Sequence, residues 1–143
     1  MANIFPTTIL TDLATALGDT VENITPAYIA GLFDGEGMVS ATPRSGNTID
    51  VELSITQTDP TVLHVVQRAC HLGCVRVYRS RCGSVGRLRL RKRHDIQSFI
   101  ESVLPYTIVK HDQLLLMREL LATPTYHRAH RSALAAAIRE LKH

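Results

Sequence analysis

The sequence lacks several features that mark common protein classes. No apolar run approaches the roughly 18 residues of a membrane-spanning helix, so we expect no transmembrane segment. The first residues lack the basic stretch and long apolar core of a secretory signal peptide. Cysteines number only three, and with no sign of secretion this favours a reducing compartment. We therefore expect an intracellular protein of the cytoplasm, the nucleoid or an organelle matrix.

Common catalytic motifs are missing as well. The three cysteines, Cys70, Cys74 and Cys82, include no second pair that could complete a zinc site, although His71 is nearby. We therefore expect them to be ordinary core or strand residues. The seven histidines are scattered and form no HExxH motif. The sequence contains no evident Ser-His-Asp arrangement, phosphate loop or dinucleotide motif. These absences argue against zinc-dependent, triad-based and nucleotide-dependent enzymes.

Positive charge is absent from one part of the chain and concentrated in another. Residues 1–43 contain no Lys or Arg, whereas residues 76–93 contain eight and no acid, although the net charge is only +3. Such a cluster predicts a polyanionic partner. RNA-binding sheets usually carry stacking aromatics, and only Tyr78 is placed for that, so DNA is favoured over RNA.

The stretch Tyr28-Ile-Ala-Gly-Leu-Phe-Asp-Gly-Glu-Gly37 follows a Thr-Pro pair that is typical of a helix start. We predict a helix over 26–34. Gly31 and Gly35 each cost a helix about 0.5–1 kcal/mol relative to Ala. With Ala27 they recur every four residues and form one stripe of small residues. A second helix could approach this stripe closely, which predicts a dimer interface at Ala27, Gly31 and Gly35.

Two acids, Asp34 and Glu36, lie at the end of this helix, where negative charge opposes the helix macrodipole. This placement makes them candidate cation ligands. Two divalent ions about 3.5–4 Å apart can hydrolyse a phosphodiester. A homodimer built on the glycine stripe would bring two copies of Glu36 side by side.

The rest of the chain reads as an α+β domain in the order helix, hairpin, helix, hairpin, helices. Residues 48–57 alternate between apolar and polar side chains, as a half-buried strand does. We expect a four-stranded antiparallel sheet with helices on one face and a polar, DNA-binding face on the other. We predict an N-terminal helical extension over 1–24, with a helix near Thr8–Leu17, and one domain over 25–143. Strands are predicted over 38–43, 48–57, 74–81 and 87–93, with a turn at 83–86, and further helices over 60–72, 95–104, 108–121 and 126–141.

The segment Ile29-Ala-Gly-Leu-Phe-Asp-Gly-Glu-Gly37 resembles the nine-residue signature of the LAGLIDADG homing endonucleases, and Tyr28 before it is typical of the single-motif, homodimeric branch. The resemblance extends from about Thr25 to Leu121. It implies a site-specific endonuclease that cuts both strands of a long, nearly palindromic DNA duplex as a homodimer, in the manner of intron homing. It also implies Mg²⁺ as the cofactor, with Mn²⁺ or Ca²⁺ able to occupy the same site.

The resemblance implies roles for individual residues. The last acid of the signature, Glu36, would be the metal ligand, and Gly35 before it would supply a backbone carbonyl. Gln57, at the end of the strand Ser-Ile-Thr-Gln57, would help hold the nucleophilic water. Lys110, in Leu104-Pro-Tyr-Thr-Ile-Val-Lys110, would position water or stabilise the transition state. A basic residue often found shortly after Gln57 has no counterpart, since acidic or neutral residues stand there.

The DNA-facing residues implied by the resemblance match the polar faces read from the alternation. They are Ser40, Thr42, Arg44, Thr48, Asp50, Glu52, Ser54, Thr56, Arg76, Tyr78, Ser80, Arg87 and Arg89. Arg suits guanine, and Asp or Glu suits cytosine, in the major groove. Two alternatives remain open. One is an intron-splicing maturase or an inactive DNA-binding regulator of the same fold, and the other is a dimerisation module that binds no nucleic acid.

Overall fold

The structure is a computed structural model that describes residues 23–142, so the predicted helix near Thr8–Leu17 lies outside the described residues. The described chain alternates helices and hairpins and then ends in helices. Its longer elements are α1 (Pro26–Glu36), β1 (Gly37–Pro43), β2 (Ile49–Gln57), α2 (Pro60–Cys70), β3 (Cys74–Ser80), β4 (Gly83–Leu90), α3 (Arg93–Val103), α4 (His111–Ala122) and α5 (Arg128–Glu140). Short 3₁₀ turns lie at Ser45–Asn47 and Leu104–Tyr106.

The four strands form one antiparallel sheet in the order β1-β2-β4-β3. Gly37 of β1 lies opposite Ile55 of β2, and Gln57 of β2 lies opposite Gly86 of β4. The pairing fixes which side chains share a face, because directly opposed residues in an antiparallel pair point the same way. The predicted α+β architecture is confirmed.

One face of the sheet is covered by helices and forms the core. Apolar side chains from all of β1, β2 and β4 meet the helices here, and the Phe33 and Phe99 rings pack edge to face with centroids 5.4 Å apart. At the outer edge, the Arg139 guanidinium of α5 donates a hydrogen bond to the Ala41 carbonyl of β1 at 3.0 Å. The buried apolar side chains of the strands are Val39, Ala41, Leu53, Ile55, Leu88 and Leu90. The opposite face of the sheet carries no helix among the described elements.

The second hairpin differs from its prediction. The predicted turn at 83–86 is wrong, because β4 already begins at Gly83 and the chain reverses at the two residues before it. The Ser80 hydroxyl donates to the Gly83 carbonyl at 3.0 Å, and Gly83 has a φ of 116°, which closes this tighter turn. A Cβ at Gly86 would lie 2.9 Å from Pro60 Cβ, so that glycine permits the close approach of α2 rather than a turn.

Several helix ends also differ. Helix α1 continues to Glu36 instead of ending at Asp34, and α2 stops at Cys70 because His71 adopts a left-handed conformation with a φ of 56°. Helix α4 begins at His111, three residues later than predicted, because the segment before it is bonded to α1. Within residues 23–142, none of the helices is both long and apolar enough to cross a membrane.

Candidate functional site

Glu36 is the last residue of α1 and lies at one end of the sheet, directly before the first residue of β1. The helix starts where the Thr25 hydroxyl accepts a hydrogen bond from the Tyr28 amide at 3.1 Å, with Pro26 in the first turn. It ends where the Gly37 amide bonds to the Phe33 carbonyl and the chain turns into β1. The Glu36 side chain is exposed. It therefore stands at a helix C-terminus, whose last carbonyls lack intrahelical donors.

Asp34 connects this helix end to the segment that carries Lys110. Its two carboxylate oxygens accept hydrogen bonds from the backbone amides of Ile108, at 2.7 Å, and Lys110, at 3.1 Å. The Lys110 ammonium in turn donates to the Asp34 carbonyl at 3.1 Å. Both oxygens of the Asp34 carboxylate thus bind backbone amides, so in this arrangement Asp34 links the two segments; its interpretation as a cation ligand stays a prediction. The same contacts bring Lys110 to the end of the helix that carries Glu36.

Gln57 lies at the same end of the sheet as Glu36. It is the last residue of β2, and Ile55, two residues earlier, lies opposite Gly37, the first residue of β1. Asp59 follows, and its carboxylate accepts a hydrogen bond from the Thr61 amide at 2.9 Å. The Asp59 carboxylate thereby caps α2, and this hydrogen bond lowers the pKa of Asp59. Asp59 lies in the region where the resemblance to LAGLIDADG endonucleases implies a basic residue.

The three glycines of the signature have different surroundings. A Cβ at Gly37 would clash with both the ring and the backbone carbonyl of Phe33, so the packing around that buried ring requires glycine. At Gly31 and Gly35, a Cβ would meet nothing within 4 Å among the described residues outside their own helix backbone and chain neighbours. Ala27, the third member of the predicted interface, is exposed too. Packing within the described residues thus explains one glycine of the signature and leaves the stripe open.

The uncovered face of the sheet brings the predicted polar residues of the four strands together. In β1 and β2, Ser40 lies opposite Glu52, and Thr42 lies opposite Asp50. Thr56 of β2, Arg87 of β4 and Arg76 of β3 form one row across three strands. The remaining strand positions on this face include Ser54, Arg89, Tyr78 and Ser80. The alternation of the sequence therefore predicted which side chains share this face.

Two ion-pair groups lie on this polar face. The Arg44 guanidinium contacts the Asp50 carboxylate at 2.7 Å, and both side chains are largely exposed. Near the centre, Glu52 Oε1 accepts from Arg89 Nε at 2.9 Å and from Arg89 Nη2 at 2.7 Å. Arg91 Nε lies 3.5 Å from the same oxygen. The hydrogen bonds that Arg89 donates to the Glu52 carboxylate raise the pKa of Arg89 above its already high ordinary value.

Not every predicted DNA-facing residue is equally available on this surface. Ser54 is only 2% exposed, so a direct base contact from Ser54 does not fit this arrangement. Arg44 and Thr48 are exposed but flank the strands, where the Arg44 amide bonds to the Thr48 carbonyl at 2.8 Å around the first hairpin turn. The Ser80 hydroxyl is used in the second hairpin turn.

A basic concavity of about 330 Å³ lies at the α3 end of the second hairpin. It is lined by Gly73, Cys74, Arg76, Tyr78, Arg89, Arg91, Lys92 and Asp95. Four of these side chains are cationic and one is acidic, so the concavity favours anionic groups such as a phosphodiester. Lys92 was missed as a site residue because the strand predicted over 87–93 placed it on the same face as Leu88 and Leu90, whereas β4 ends at Leu90.

The described residues hold no cluster of three or more His, Cys, Asp or Glu side chains that could bind a metal ion. Mg²⁺ is often held by one or two carboxylates together with waters and phosphates, so a single exposed carboxylate fits a shared site better than a closed cage. Burial raises the pKa of the Cys70 thiol, which favours its protonated form.

Comparisons with known proteins agree with this geometry. The archaeal intron-encoded homing endonuclease I-Vdi141I, solved in complex with DNA, superposes with a TM-score of 0.71 at 18% identity, over 82% of this chain and 84% of that one. The homing endonuclease I-CvuI, solved with the I-CreI target in the presence of Mg²⁺, gives 0.70 at 21% identity, over 82% and 81%. The homing endonuclease I-TnaI gives 0.59 at 22% identity, over 82% and 85%. At these identities the likeness establishes the fold.

No curated protein matches the chain significantly. The family model described as a LAGLIDADG-like domain matches residues 24–103, more than half of the chain. The match includes the signature helix, both hairpins and all of α3. On this match, and as the resemblance of the signature implied, the chain belongs to the LAGLIDADG-like domain family.

Proposed function

We propose that this protein is a site-specific DNA endonuclease that cleaves both strands of a long, nearly palindromic duplex as a homodimer and acts in intron homing. The observation that carries the proposal is the arrangement at the end of α1. Asp34 holds the segment of Lys110 against the helix that ends in the exposed Glu36. A carboxylate and an ammonium group at the same helix end suit phosphodiester hydrolysis.

Glu36 and the Gly35 carbonyl would hold a divalent metal ion. The donors are oxygens, as Mg²⁺ prefers, and Mn²⁺ or Ca²⁺ could take the same ligands. One carboxylate per chain requires the DNA phosphate, water and the second subunit to complete the coordination. When bound, such an ion activates water and stabilises the leaving oxygen of the phosphodiester.

Gln57 and Lys110 would act beside Glu36. The Gln57 amide can both donate to and accept from a water molecule, so it can orient the nucleophile. The Lys110 ammonium can stabilise the negative charge that develops on the phosphate in the transition state. Its bond to the Asp34 carbonyl keeps the ammonium at the helix end, which limits the reorganisation needed during reaction.

Homodimer formation is supported by the open glycine stripe and by exposed apolar groups around it. Gly31 and Gly35 have space for a second helix. Tyr28 on the same helix is half exposed, and Ile108 and Val109, in the segment bonded to Asp34, are 84% and 68% exposed. Burial of these side chains against a second copy would remove apolar surface from water. Close packing would bring the two Glu36 carboxylates near each other.

The polar sheet face would bind the duplex. Its strands present Arg, Tyr, Ser, Thr, Asp and Glu, which can donate to or accept from base edges in the major groove. Arg91 and Lys92 of the basic concavity, which lie beyond the end of β4, would add salt-dependent affinity for the phosphate backbone.

The test is cleavage of a selected target by Glu36→Gln. A random duplex library first yields the sequences that the wild-type protein cuts in Mg²⁺. We expect Glu36→Gln to bind the selected duplex with affinity close to that of the wild type and to cut it at least about 100-fold more slowly, because the amide is a poor cation ligand.

A matched control is Glu140→Gln, which makes the same change at an exposed position on α5. It should cut like the wild type. Wild-type binding of one specific sequence without cleavage in Mg²⁺ or Mn²⁺ would instead indicate a DNA-binding regulator. Equal cleavage by Glu36→Gln would refute the metal assignment.

A further inference from the structure

The centre of the polar sheet face contains an arginine that is already oriented. Arg89 of β4 donates from Nε and Nη2 to Glu52 Oε1 of β2 at 2.9 and 2.7 Å. The Glu52 side chain is 14% exposed and that of Arg89 is 27% exposed, so this pair is much less solvated than Arg44 and Asp50. The buried hydroxyl residue Ser54 lies directly opposite Arg89 in the strand register. The Arg89 side chain is therefore restricted to one orientation.

The bonds to Glu52 use only one edge of the guanidinium group. The group carries five N–H donors in a fixed planar fork. Nε–H and one Nη2–H form the side edge, which faces Glu52. The second Nη2–H and one Nη1–H form the terminal edge, which the bonds to Glu52 leave available. Tyr78, on the neighbouring strand β3, is a further side chain that interacts with this guanidinium. The terminal edge matches the N7 and O6 acceptors of guanine.

Arg87, on the same strand, lacks a partner like Glu52 within the described chain and serves as a comparison for Arg89. Arg87 shares the polar face, in the row with Thr56 and Arg76. Among residues 23–142, no carboxylate lies within ion-pair distance of Arg87. Binding must therefore restrict the free rotamers of Arg87, whereas Arg89 is restricted before DNA arrives.

We propose that Arg89 reads a guanine at one position of each half-site through its terminal edge, and that Glu52 is its positioning residue. This inference rests on the proposed function. It assigns Glu52 a role different from the direct cytosine contact that its side chain type suggests, because Glu52 Oε1 is held by Arg89 and approached by Arg91. Specificity at this position then depends on two residues, of which only Arg89 contacts DNA.

The test is a binding selection from a random duplex library, without divalent cations, for the wild type and four variants. We expect Arg89→Gln to reduce the preference for guanine at one position per half-site by about 10- to 100-fold, the usual value of a bidentate base contact. Glu52→Gln should weaken the preference at that same position. In the Arg89→Gln background it should have no further effect, because there is no arginine left to orient. The fourth variant, Glu101→Gln, removes a carboxylate paired with Arg118 on the helices and should leave all preferences unchanged.

The outcomes separate this inference from the proposed function. If the wild type enriches no sequence, the proposed function fails and the inference fails with it. If the wild type enriches a site but Glu52→Gln changes a position that Arg89→Gln does not, Glu52 contacts a base itself and the inference is wrong. If Glu52→Gln weakens all sequences equally, its role is only structural. If thermal unfolding shows that Glu52→Gln is not folded, Glu52→Asp replaces it. This variant keeps the charge on a shorter side chain and should retain part of the preference for guanine.

Discussion

Asp34 is the residue whose role changes most between sequence and structure. An acid at a helix C-terminus opposes the macrodipole, which suggested a cation ligand. The structure gives it two backbone amides, from Ile108 and Lys110, and gives its carbonyl the Lys110 ammonium. These positive partners compensate the unfavourable helix position. Asp34 therefore connects a segment 74 residues later in the chain to the signature helix.

We expect Asp34→Asn to lower the free energy of unfolding by about 1–3 kcal/mol, because an amide has one oxygen and its NH₂ group would face a backbone donor. Denaturant unfolding measures this change. Cleavage of the selected target should slow more than binding weakens, since Lys110 loses its position. Exposed Glu140→Gln is the control and should unfold like the wild type. Unchanged stability and unchanged cleavage in Asp34→Asn would show that these contacts do not matter.

At the scale of elements, the signature helix carries glycines for two different reasons. Gly37 accommodates the buried Phe33 ring within the described residues, whereas Gly31 and Gly35 face open space. An alanine methyl group at Gly31 or Gly35 would have no packing cost within the described chain. Replacing either glycine by alanine would therefore change the stability of the monomer only through the higher helix propensity of alanine. The difference separates folding from association and permits a test of the dimer.

We expect Gly31→Ala to stabilise the folded monomer and to weaken its dimerisation. At concentrations where monomer prevails, it should raise the free energy of unfolding by about 0.5–1 kcal/mol. Sedimentation should show weaker dimerisation, because the methyl group separates the two helices. Gly37→Ala is the contrasting variant and should destabilise the fold by about 1–3 kcal/mol through overpacking. Dimerisation of Gly31→Ala as tight as that of the wild type would place the interface elsewhere.

Local patterns predicted some elements better than others, for physical reasons. The alternation in β2 identified its faces because one side packs on the core and the other does not. The β3–β4 turn was predicted wrongly because Gly86, needed for the approach of Pro60, resembles a turn glycine in sequence. The bonds from Asp34 to residues 108 and 110 have no local signal, since that segment has no periodicity and its partner is distant in the chain.

At the scale of the whole molecule, charge is divided between the two faces. Five of the eight cations of residues 76–93 lie on the polar face or line its basic concavity, namely Arg76, Arg87, Arg89, Arg91 and Lys92. The helices instead pair Arg118 with Glu101 at 3.8 Å and His130 with Glu119 at 3.1 Å. An approaching duplex would therefore be steered to the sheet, and the helices would remain solvated.

The salt dependence of binding tests this division and the stoichiometry together. Each phosphate neutralised by the protein contributes about 0.9 to the slope of log K against log salt concentration. Arg81 is exposed in the second hairpin turn, outside the set of predicted base readers. If it contacts a phosphate, Arg81→Gln should reduce the slope by about 1 for a bound monomer and by about 2 for a homodimer, without changing base preference. The control Arg118→Gln, on the helical side, should leave the slope unchanged. Fluorescence anisotropy on the selected duplex between low and physiological salt measures all three slopes, and a reduction near 1 would contradict the homodimer.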